Sequence, residues 1–362
     1  NRPDNCIFEM DEAYLYSSFN EFNPDIMLVT NLFRDQLDRY GELNTIAGKI
    51  GAAIDKTCKV KPLKLVLNAD DPMVANIAPE VTGDNIIRIY FGFEDISYSG
   101  NDSAGVVEHA SLHGENYSPQ ESINCKCGKP FQYSKTFYGH LGYYECDCGV
   151  KRPVPQISAT AHVGVSSSKI VIKRQSEEDF EINVNLPGVY NCYNALAAIT
   201  MALTSGISID NIKKGIENYN TAFGRAESVK IKGKDVLIQL IKNPIGATEV
   251  IKTIKNDDKG RLFILINDNY ADGRDVSWLW DTNFELLAEY NKTAIISGIR
   301  ASDMAVRLKY AGIDAKNIII EENIERAFLS AIDSVEEDEK LYILPTYTAL
   351  LELDRIKERL IR

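Results

Sequence analysis

Two series of short apolar runs, each alternating with helical patterns, constrain the fold of this 362-residue chain more than any other feature. The first series predicts strands at Cys6–Met10, Ile26–Thr30, Leu63–Leu67, Ile86–Phe91, Ile170–Ile172 and Phe180–Val184. The second predicts strands near Val236–Ile241, Leu262–Ile266, Ala294–Ser297, Ile318–Ile320 and Leu341–Leu344. Helical patterns such as Thr45–Asp55 and Ala301–Tyr310 lie between strands, which indicates right-handed crossovers and largely parallel sheets. The chain is therefore predicted to be an α/β protein.

The chain is too long for one ordinary hydrophobic core, and its pattern divides near residue 222. From about residue 97 to residue 152 the first series is interrupted by a stretch rich in Gly, Ser, Tyr, Cys and His, without a helical period. We predict a first domain over residues 1–222 that carries this stretch as an inserted module, and a second α/β domain over residues 223–362.

The overall charge of the chain bears on which classes of partner it can bind. The formal net charge is −12, which argues against broad binding to nucleic acids or anionic membranes. No apolar run approaches the length of a membrane helix, and no signal peptide opens the sequence. These features favour a cytosolic enzyme.

Four of the seven cysteines are crowded into a short stretch of the inserted module. The run "CKCGKP…CDCG" supplies two pairs, Cys125 with Cys127 and Cys146 with Cys148, and a glycine follows each pair. Four thiolates complete a tetrahedral zinc shell with no open position, which is typical of a structural site. Two disulfides are the alternative, disfavoured in a cytosolic chain, and His140 is a possible substitute ligand. We predict one structural zinc.

Acidic and polar residues follow several predicted strands of the first domain. "FEMDE" places Glu9 after the first strand, and "TNLFRDQLDRYGE" (residues 30–42) and "LNADDP" (residues 67–72) follow the next two. Ligands collect at the carboxyl edge of such sheets, and carboxylates there can hold Mg²⁺ against nucleotide phosphates. On spacing alone, a solvated acidic turn is the alternative for Glu9.

The run "GVYNCYNALAA" (residues 188–198) predicts a helix with two asparagines in its first turn, Asn191 and Asn194. Amides both donate and accept hydrogen bonds, so one face of this turn could recognise an adenine edge. Capping of the helix by Asn191 is the alternative.

The run "NDNYADGRDVSWLWD" (residues 267–281) directly follows a predicted buried strand. It contains Asp272 and Asp275, yet none of the four histidines of the chain lies after His162. An acid at a strand end is well placed for chemistry, but the second domain offers no histidine base to accompany it. Shaping of a polar turn by the two acids is the alternative.

Taken in order, "FEMDE", "TNLFRDQLDRYGE", "LNADDP", "GVYNCYNALAA" and "FGRAE" resemble the Mur ligase family. The cysteine-rich insertion, "KNPIGATEV" (residues 242–250), the acidic run at residues 267–281 and "LPTYTAL" resemble, more closely, the MurT branch of that family. These motifs span the whole chain. MurT subunits are the ligase-like partners of GatD-type glutaminases in lipid II isoglutaminyl synthases.

The resemblance implies a Mur ligase-like central ATP-binding domain with an inserted four-cysteine zinc ribbon, followed by a Rossmann-like C-terminal domain. It implies ATP-dependent amidation of the D-glutamate α-carboxylate of the lipid II stem, through an acyl phosphate that ammonia attacks. By motif match Glu9 would bind Mg²⁺, and Asn194 and Arg225 would contact ATP. Asp275 would complete a Cys–His–Asp glutaminase triad whose Cys and His belong to the partner.

Two departures from the Mur ligase pattern shape the expectations. The phosphate-gripping loop of the form G-T-N-G-K-T is not among these residues, and the sequence opens at Asn1 without a methionine. We therefore expect that an N-terminal segment carrying the loop is missing and that the chain as given does not hydrolyse ATP alone. Amino-acid-adding Mur ligases have a histidine before Asn-Pro in the last domain, whereas "LIKNP" has none, which counts against amino-acid addition.

Two other functions stay open at this point. The chain could be a free-standing Mur or folylpolyglutamate-type ligase that adds an amino acid, which would need no glutaminase. It could also be a non-catalytic zinc-ribbon scaffold that binds and regulates an enzyme. For the leading function we expect a bacterial cytoplasmic protein that acts near the inner face of the membrane, with lipid II or its soluble stem-peptide analogue as substrate.

Overall fold

The computed structural model describes most of the chain, namely residues 6–12, 14–19, 22–33, 43–98, 107–108, 124–164, 167–175, 177–186, 188–219, 225–255, 257 and 259–361. The described residues up to Tyr219 form one compact unit, and those from Arg225 onward form a second. The predicted domain boundary near residue 222 falls on residues outside the described ranges.

The first unit is a mixed α/β structure. Its strands are β1 (Ile26–Val29), β2 (Leu63–Asn68), β3 (Ile86–Tyr98), β4 (Val107–Glu108), β5 (Gln132–Tyr138), β6 (Leu141–Glu145), β7 (Ile157–Val163), β8 (Ser168–Arg174) and β9 (Phe180–Val184). Its helices are α1 (Leu15–Ser18), α2 (Leu43–Cys58), α3 (Pro72–Ala75), α4 (Val189–Thr204) and α5 (Ile209–Glu217).

The main sheet of the first unit has the order β1-β2-β3-β7-β8-β9. The pairs from β1 to β7 are parallel, and β8 and β9 continue the sheet as antiparallel strands. Helix α2 covers one face because Ile46, Ile50 and Ile54 recur every four residues and are buried against the core that contains Leu65 and Leu67. Because β1 and β2 are parallel, their carboxyl ends lie side by side, which places Thr30 and Asn68 at one edge of the sheet.

A separate three-stranded antiparallel sheet, β4-β5-β6, occupies the interval between β3 and β7. No helix is found among its described residues. The predicted insertion of a small module into the first α/β series thus corresponds to an independent sheet, whose main part we call the ribbon (the described residues from Asn124 to Arg152).

The second unit is a six-stranded sheet with the order β10-β11-β15-β12-β13-β14. Its strands are β10 (Arg225–Ile231), β11 (Lys234–Gln239), β12 (Gly260–Leu265), β13 (Ala294–Ser297), β14 (Ile318–Ile320) and β15 (Lys340–Pro345). Its helices are α6 (Pro244–Lys255), α7 (Trp278–Asp281), α8 (Ala301–Tyr310), α9 (Ile324–Asp333) and α10 (Tyr347–Ile361), with 3-10 turns at Phe284–Leu287 and Ala315–Asn317.

All pairs of the second sheet are parallel except β10 with β11. The last four residues of strand β12 are all apolar because both faces of the strand are covered there. Leu262 and Ile264 belong to the core on one side, and Phe263 and Leu265 to the core on the other. The Rossmann-like arrangement predicted for the C-terminal half is confirmed.

The prediction of a strand at Cys6–Met10 is wrong. These residues have no regular structure, and the side chains of Cys6, Ile7 and Phe8 are exposed. A short apolar run predicts a strand only if a neighbouring strand takes up its backbone groups, and none of the described strands does so here. Within the described ranges, no helix has both the length and the apolar character needed to cross a membrane.

Candidate functional site

The ribbon brings its four cysteines together through two similar turns. In the first, the Gly128 amide donates to the Cys125 carbonyl at 2.8 Å, and in the second the Gly149 amide donates to the Cys146 carbonyl at 2.9 Å. Both glycines have positive φ, 83° and 94°. This conformation is strained for residues with a side chain but not for glycine. We call each C-x-C-G turn a knuckle. Each knuckle brings its two sulfur atoms into the same cluster.

The sulfur positions fit a tetrahedral zinc ion. The ligand atoms of Cys125, Cys127, Cys146 and Cys148 all lie within 4.8 Å of one another. The closest pairs, Cys125 with Cys148 and Cys127 with Cys146, are 3.5 Å apart. Tetrahedral Zn–S bonds of about 2.3 Å place sulfurs roughly 3.8 Å apart, so modest expansion would accommodate the ion. All four cysteines are free thiols in this structure, which gives no support to the alternative of two disulfides.

His140 does not join the sulfur cluster. Its side chain is buried, and its Nε2 lies 3.3 Å from Asp71 Oδ2 in the "LNADDP" turn. The alternative in which His140 substitutes for a cysteine ligand is therefore not supported by the geometry. The Val150 amide lowers the pKa of the Cys148 thiol to about 7, so a thiolate is accessible at neutral pH on one knuckle.

The "LNADDP" turn (residues 67–72) lies at the carboxyl end of β2, as predicted, but both of its carboxylates are fully buried. Asp70 Oδ1 accepts from Arg152 Nε at 2.7 Å. Asp70 Oδ2 accepts from the Phe93 amide at 2.8 Å and from the Tyr193 hydroxyl at 2.7 Å. The space is closed tightly, since a Cβ on Gly92 would lie 2.5 Å from Asp70 Oδ1. Asp70 is thus engaged with the protein itself rather than open to a ligand.

The ionisation of Asp70 follows from these partners. Burial raises the pKa of its carboxyl, and the Arg152 guanidinium opposes that effect. The three groups that contact its oxygens all donate hydrogen bonds, so the carboxylate is the form that satisfies them. We therefore describe Asp70 and Arg152 as a buried ion pair.

Asp71 holds two further segments in place. Its Oδ1 accepts from the amides of Met73 and Val74 and so caps the short helix α3. Its Oδ2 accepts from the Leu32 amide at 2.8 Å, which ties the turn to the segment after β1. The remainder of the acidic run "TNLFRDQLDRYGE", from residue 34 to residue 42, lies outside the described residues.

The candidate nucleotide residues lie in separate segments of the chain. Glu9 is exposed in an irregular segment, and Asn194 is exposed in the first turns of α4. That helix begins after Gly188 without a side-chain cap, so the alternative role of Asn191 as the N-cap is wrong. Arg225 begins β10, and its side chain lies outside the described residues.

In the second unit, the acidic run forms the loop after β12, at the carboxyl edge of the sheet, and the short helix α7 that follows it. Its two acids have different surroundings. Asp272 is only 9% exposed, and it accepts from the Thr348 amide at 2.7 Å, from the Thr348 hydroxyl at 2.5 Å and from the Asn269 amide at 3.1 Å. Thr348 lies in the first turn of α10, so Asp272 anchors the loop to that helix.

Asp275 is exposed. Its Oδ1 accepts from the Ser277 amide at 2.8 Å, a contact within the loop that fixes the carboxylate locally. The two predicted roles therefore separate: Asp272 shapes the turn, and Asp275 presents a charge at the surface.

The sequence did not reveal the residues that pair with Asp70 in the first unit and with Asp272 in the second. Arg152 lies 82 positions from Asp70, and Thr348 lies 76 positions from Asp272. No local pattern relates such pairs. Only the presence of Thr348 inside the family motif "LPTYTAL" gave a hint.

Comparison with known proteins identifies the family. The profile of the family described as MurT ligase C-terminal matches residues 240–350. The MurT subunit of lipid II isoglutaminyl synthase (glutamine-hydrolysing) from Streptococcus pneumoniae is 35% identical over 352 residues, which are 96% of this chain and 73% of that protein. The chain belongs to the MurT family. The MurT subunit from Staphylococcus aureus is 32% identical over 91% of the chain and 69% of its own length.

Solved structures show the fold of this MurT family member. A pseudomurein peptide ligase type C from Methanothermus fervidus aligns with a TM-score of 0.64 at 24% identity, over 96% of this chain and 65% of that one. MurF from Acinetobacter baumannii aligns with a TM-score of 0.61 at 14% identity, over 96% of this chain and 62% of that one. The chain thus spans slightly less than two thirds of these solved ligases. The predicted Mur ligase-like α/β fold is confirmed.

Proposed function

We propose that this chain is the ligase subunit of a glutamine-dependent amidotransferase that converts the D-glutamate of the lipid II stem peptide to D-isoglutamine. Membership of the MurT family carries the proposal, since two relatives that match over nine tenths of the chain are named as subunits of that synthase. The Mur ligase fold supports the use of ATP and Mg²⁺.

The proposed reaction has two parts. The α-carboxylate oxygen of D-glutamate attacks the γ-phosphorus of ATP, which gives an acyl phosphate and ADP. Ammonia then attacks the acyl carbon, inorganic phosphate leaves, and the nitrogen loses a proton to yield the amide. Glutamine and water supply the ammonia on the partner glutaminase and leave glutamate.

Within this chain, Glu9 would hold Mg²⁺, and Asn194 and Arg225 would contact the nucleotide. Carboxylate oxygen is the ligand that Mg²⁺ prefers, and an exposed amide in the first turns of a helix can both donate to and accept from an adenine edge. The exposure of Glu9 and Asn194 leaves both side chains accessible to a ligand. The four ribbon cysteines would hold one structural zinc.

Asp275 would complete the glutaminase triad of the partner. The second unit has no histidine and no cysteine of its own, and in the proposed synthase the Cys and the His of the triad would come from the glutaminase. An exposed carboxylate on an anchored loop suits that role, because the acid of a triad fixes the imidazole tautomer and stabilises the imidazolium.

The test of the shared triad compares nitrogen donors. In the complex of the full-length protein with its glutaminase, we expect Asp275→Asn to lower glutamine-dependent amidation about 10²-fold or more and to leave ammonium-dependent amidation unchanged. Asp338→Asn is the matched control, since Asp338 is an exposed aspartate just before β15, at the opposite edge of the sheet. Equal losses with both donors would assign Asp275 to the ligase site or to the fold.

A second variant tests the ligase half. Glu9→Gln should abolish amidation with either donor, even in excess ammonium chloride, and should affect glutamine hydrolysis less. If Glu9→Gln amidates normally, Glu9 is a solvated residue and the metal role is wrong. Ligation of a free amino acid in place of ammonia by the wild-type protein would instead favour the amino-acid-adding alternative.

A further inference from the structure

The ribbon contacts the main sheet of the first unit through a small set of buried groups. The Gly142 amide donates to the Asp70 carbonyl at 2.9 Å, and Arg152 Nε donates to the Asp70 carboxylate at 2.7 Å. His140 Nε2 lies 3.3 Å from the carboxylate of Asp71. We call His140, Gly142 and Arg152 the ribbon clamp. All three residues belong to the ribbon, and all three contact Asp70 or Asp71 in the turn at the carboxyl end of β2.

The same turn is connected to the segment after β1. The Leu32 amide donates to Asp71, and Asn68 Nδ2 donates to the Thr30 carbonyl at 3.0 Å. The hairpin of the ribbon also reaches this segment directly, because the ring of Phe33 packs against His140, with 4.8 Å between ring centroids. Two adjacent loops at the carboxyl edge are therefore held by one another and by the ribbon.

A third connection reaches helix α4. The Tyr193 hydroxyl donates at 2.7 Å to one oxygen of the Asp70 carboxylate, and Arg152 binds the other. Tyr193 directly precedes Asn194, the exposed residue proposed to contact the nucleotide. The position of that turn of the helix is thus coupled through one carboxylate to the ribbon.

We propose that the ribbon clamp is a positioning element for the nucleotide-binding edge of the first unit, acting through Asp70 and Asp71. This inference rests on the proposed function for the identity of the ligand. The clamp consists of buried charged and polar groups, which are costly to leave unpaired, so its loss changes the loops rather than only the ribbon. Zinc, by fixing the ribbon, would then support nucleotide binding without touching the nucleotide.

The test uses the full-length, zinc-loaded protein and the variant Arg152→Met, which keeps much of the side-chain volume but removes the charge. We expect one zinc per chain, as in the wild type, together with at least tenfold weaker binding of a non-hydrolysable ATP analogue with Mg²⁺. Amide hydrogen exchange at Leu32, Phe93 and Gly142 should be at least tenfold faster. Arg152→Lys should recover part of both effects, since it restores a charge without the planar group.

Lys129→Met is the control within the ribbon, because the Lys129 side chain forms an exposed ion pair with Asp147 away from the clamp. It should change none of these quantities. Glutamine hydrolysis by the complex should also stay at the wild-type level in Arg152→Met, which a general folding defect would not allow. If Arg152→Met does not fold, His140→Gln is the milder variant. It should weaken binding of the ATP analogue and speed amide exchange in the same directions, by smaller factors.

Unchanged exchange at Leu32 and Phe93 in a zinc-loaded clamp variant would overturn the proposal. Exchange is measured without nucleotide, so it decides the role of the clamp by itself. A wild-type protein that binds no ATP analogue would refute the proposed ligase function and leave the exchange result as the test of the coupling.

Discussion

The anchoring of the acidic loop by Asp272 leads to a prediction that separates the two acids of that loop. Replacing Asp272 by asparagine keeps the shape but turns one acceptor oxygen into an NH₂ donor. That group would face either the Thr348 amide or the Asn269 amide, both of which donate in the wild type. One charge-assisted hydrogen bond is lost and one buried donor is left unsatisfied, which together cost about 2–3 kcal/mol.

Asp275→Asn should behave differently. Asp275 is exposed, and substitutions at such positions usually change the unfolding free energy by less than about 0.5 kcal/mol. We therefore expect Asp272→Asn to destabilise the second unit and to lower glutamine-dependent amidation indirectly. Asp275→Asn should lower glutamine-dependent amidation at unchanged stability.

The assay is urea unfolding followed by tryptophan fluorescence. Both tryptophans of the chain, Trp278 and Trp280, lie at the end of the acidic run, in helix α7 of the second unit, so their fluorescence reports on that unit. Thr348→Ser keeps both donors to Asp272 and serves as the matched control, whereas Thr348→Val removes the hydroxyl. Wild-type stability of Asp272→Asn, or an equal loss of stability in Asp275→Asn, would refute this division of roles.

Three further predictions follow from the same contacts. Cys127→Ser should lower zinc content and destabilise the ribbon while the tryptophan transition stays unchanged; full zinc content would contradict the four-cysteine site. Glu339→Gln should cost at most about 3 kcal/mol at pH 7, because burial raises the pKa of Glu339 but Arg261, the Glu336 amide and Lys292 together outweigh it and lower that pKa from 4.5 to about 2. That stability is present above pH 4.5 and disappears as the pH falls towards 2, so urea midpoints of variant and wild type should converge as the pH is lowered through this range; a constant difference would exclude the ion pair as the cause. Gly298→Ala should destabilise the second unit by at least about 1–2 kcal/mol, since φ is 93° and a Cβ would lie 2.5 Å from the Ile266 carbonyl; urea unfolding at the wild-type midpoint would show that the backbone relaxes.

Elements whose apolar runs are buried on both faces could be predicted from the sequence. The strand predicted at Leu262–Ile266 is found as β12 at Gly260–Leu265. A continuous apolar run of this length is typical of a strand that is buried on both faces of a parallel sheet. Strand β7 (Ile157–Val163) was missed, since its Ala, Ser, Thr and His residues give a weak apolar signal. The two knuckles were foreseeable because the two cysteines and the glycine of each lie within four consecutive residues.

The polar networks were not foreseeable in the same way. "LNADDP" is correctly predicted at a strand end, but its carboxylates, expected to be ligand groups, are buried and paired within the chain. Whether a carboxylate faces a ligand or a distant arginine depends on the topology that returns residue 152 to residue 70. The candidate site residues Glu9, Asn194, Arg225 and Asp275 stay predictions.

The position of the ribbon in the chain bears on the order of folding. Strands β3 and β7 are parallel neighbours, and the residues that connect them, 99–156, contain the ribbon. Pairing of these strands must close that loop, and each doubling of loop length costs only about 0.6 kcal/mol. A metal held by the four cysteines would link the segment from Cys125 to Cys148, which is less than half of the loop, so a preformed ribbon would speed the pairing by less than about threefold. Pairing of β3 with β7 therefore gains little from a metal bound beforehand, and the main sheet can form before the four cysteines bind one.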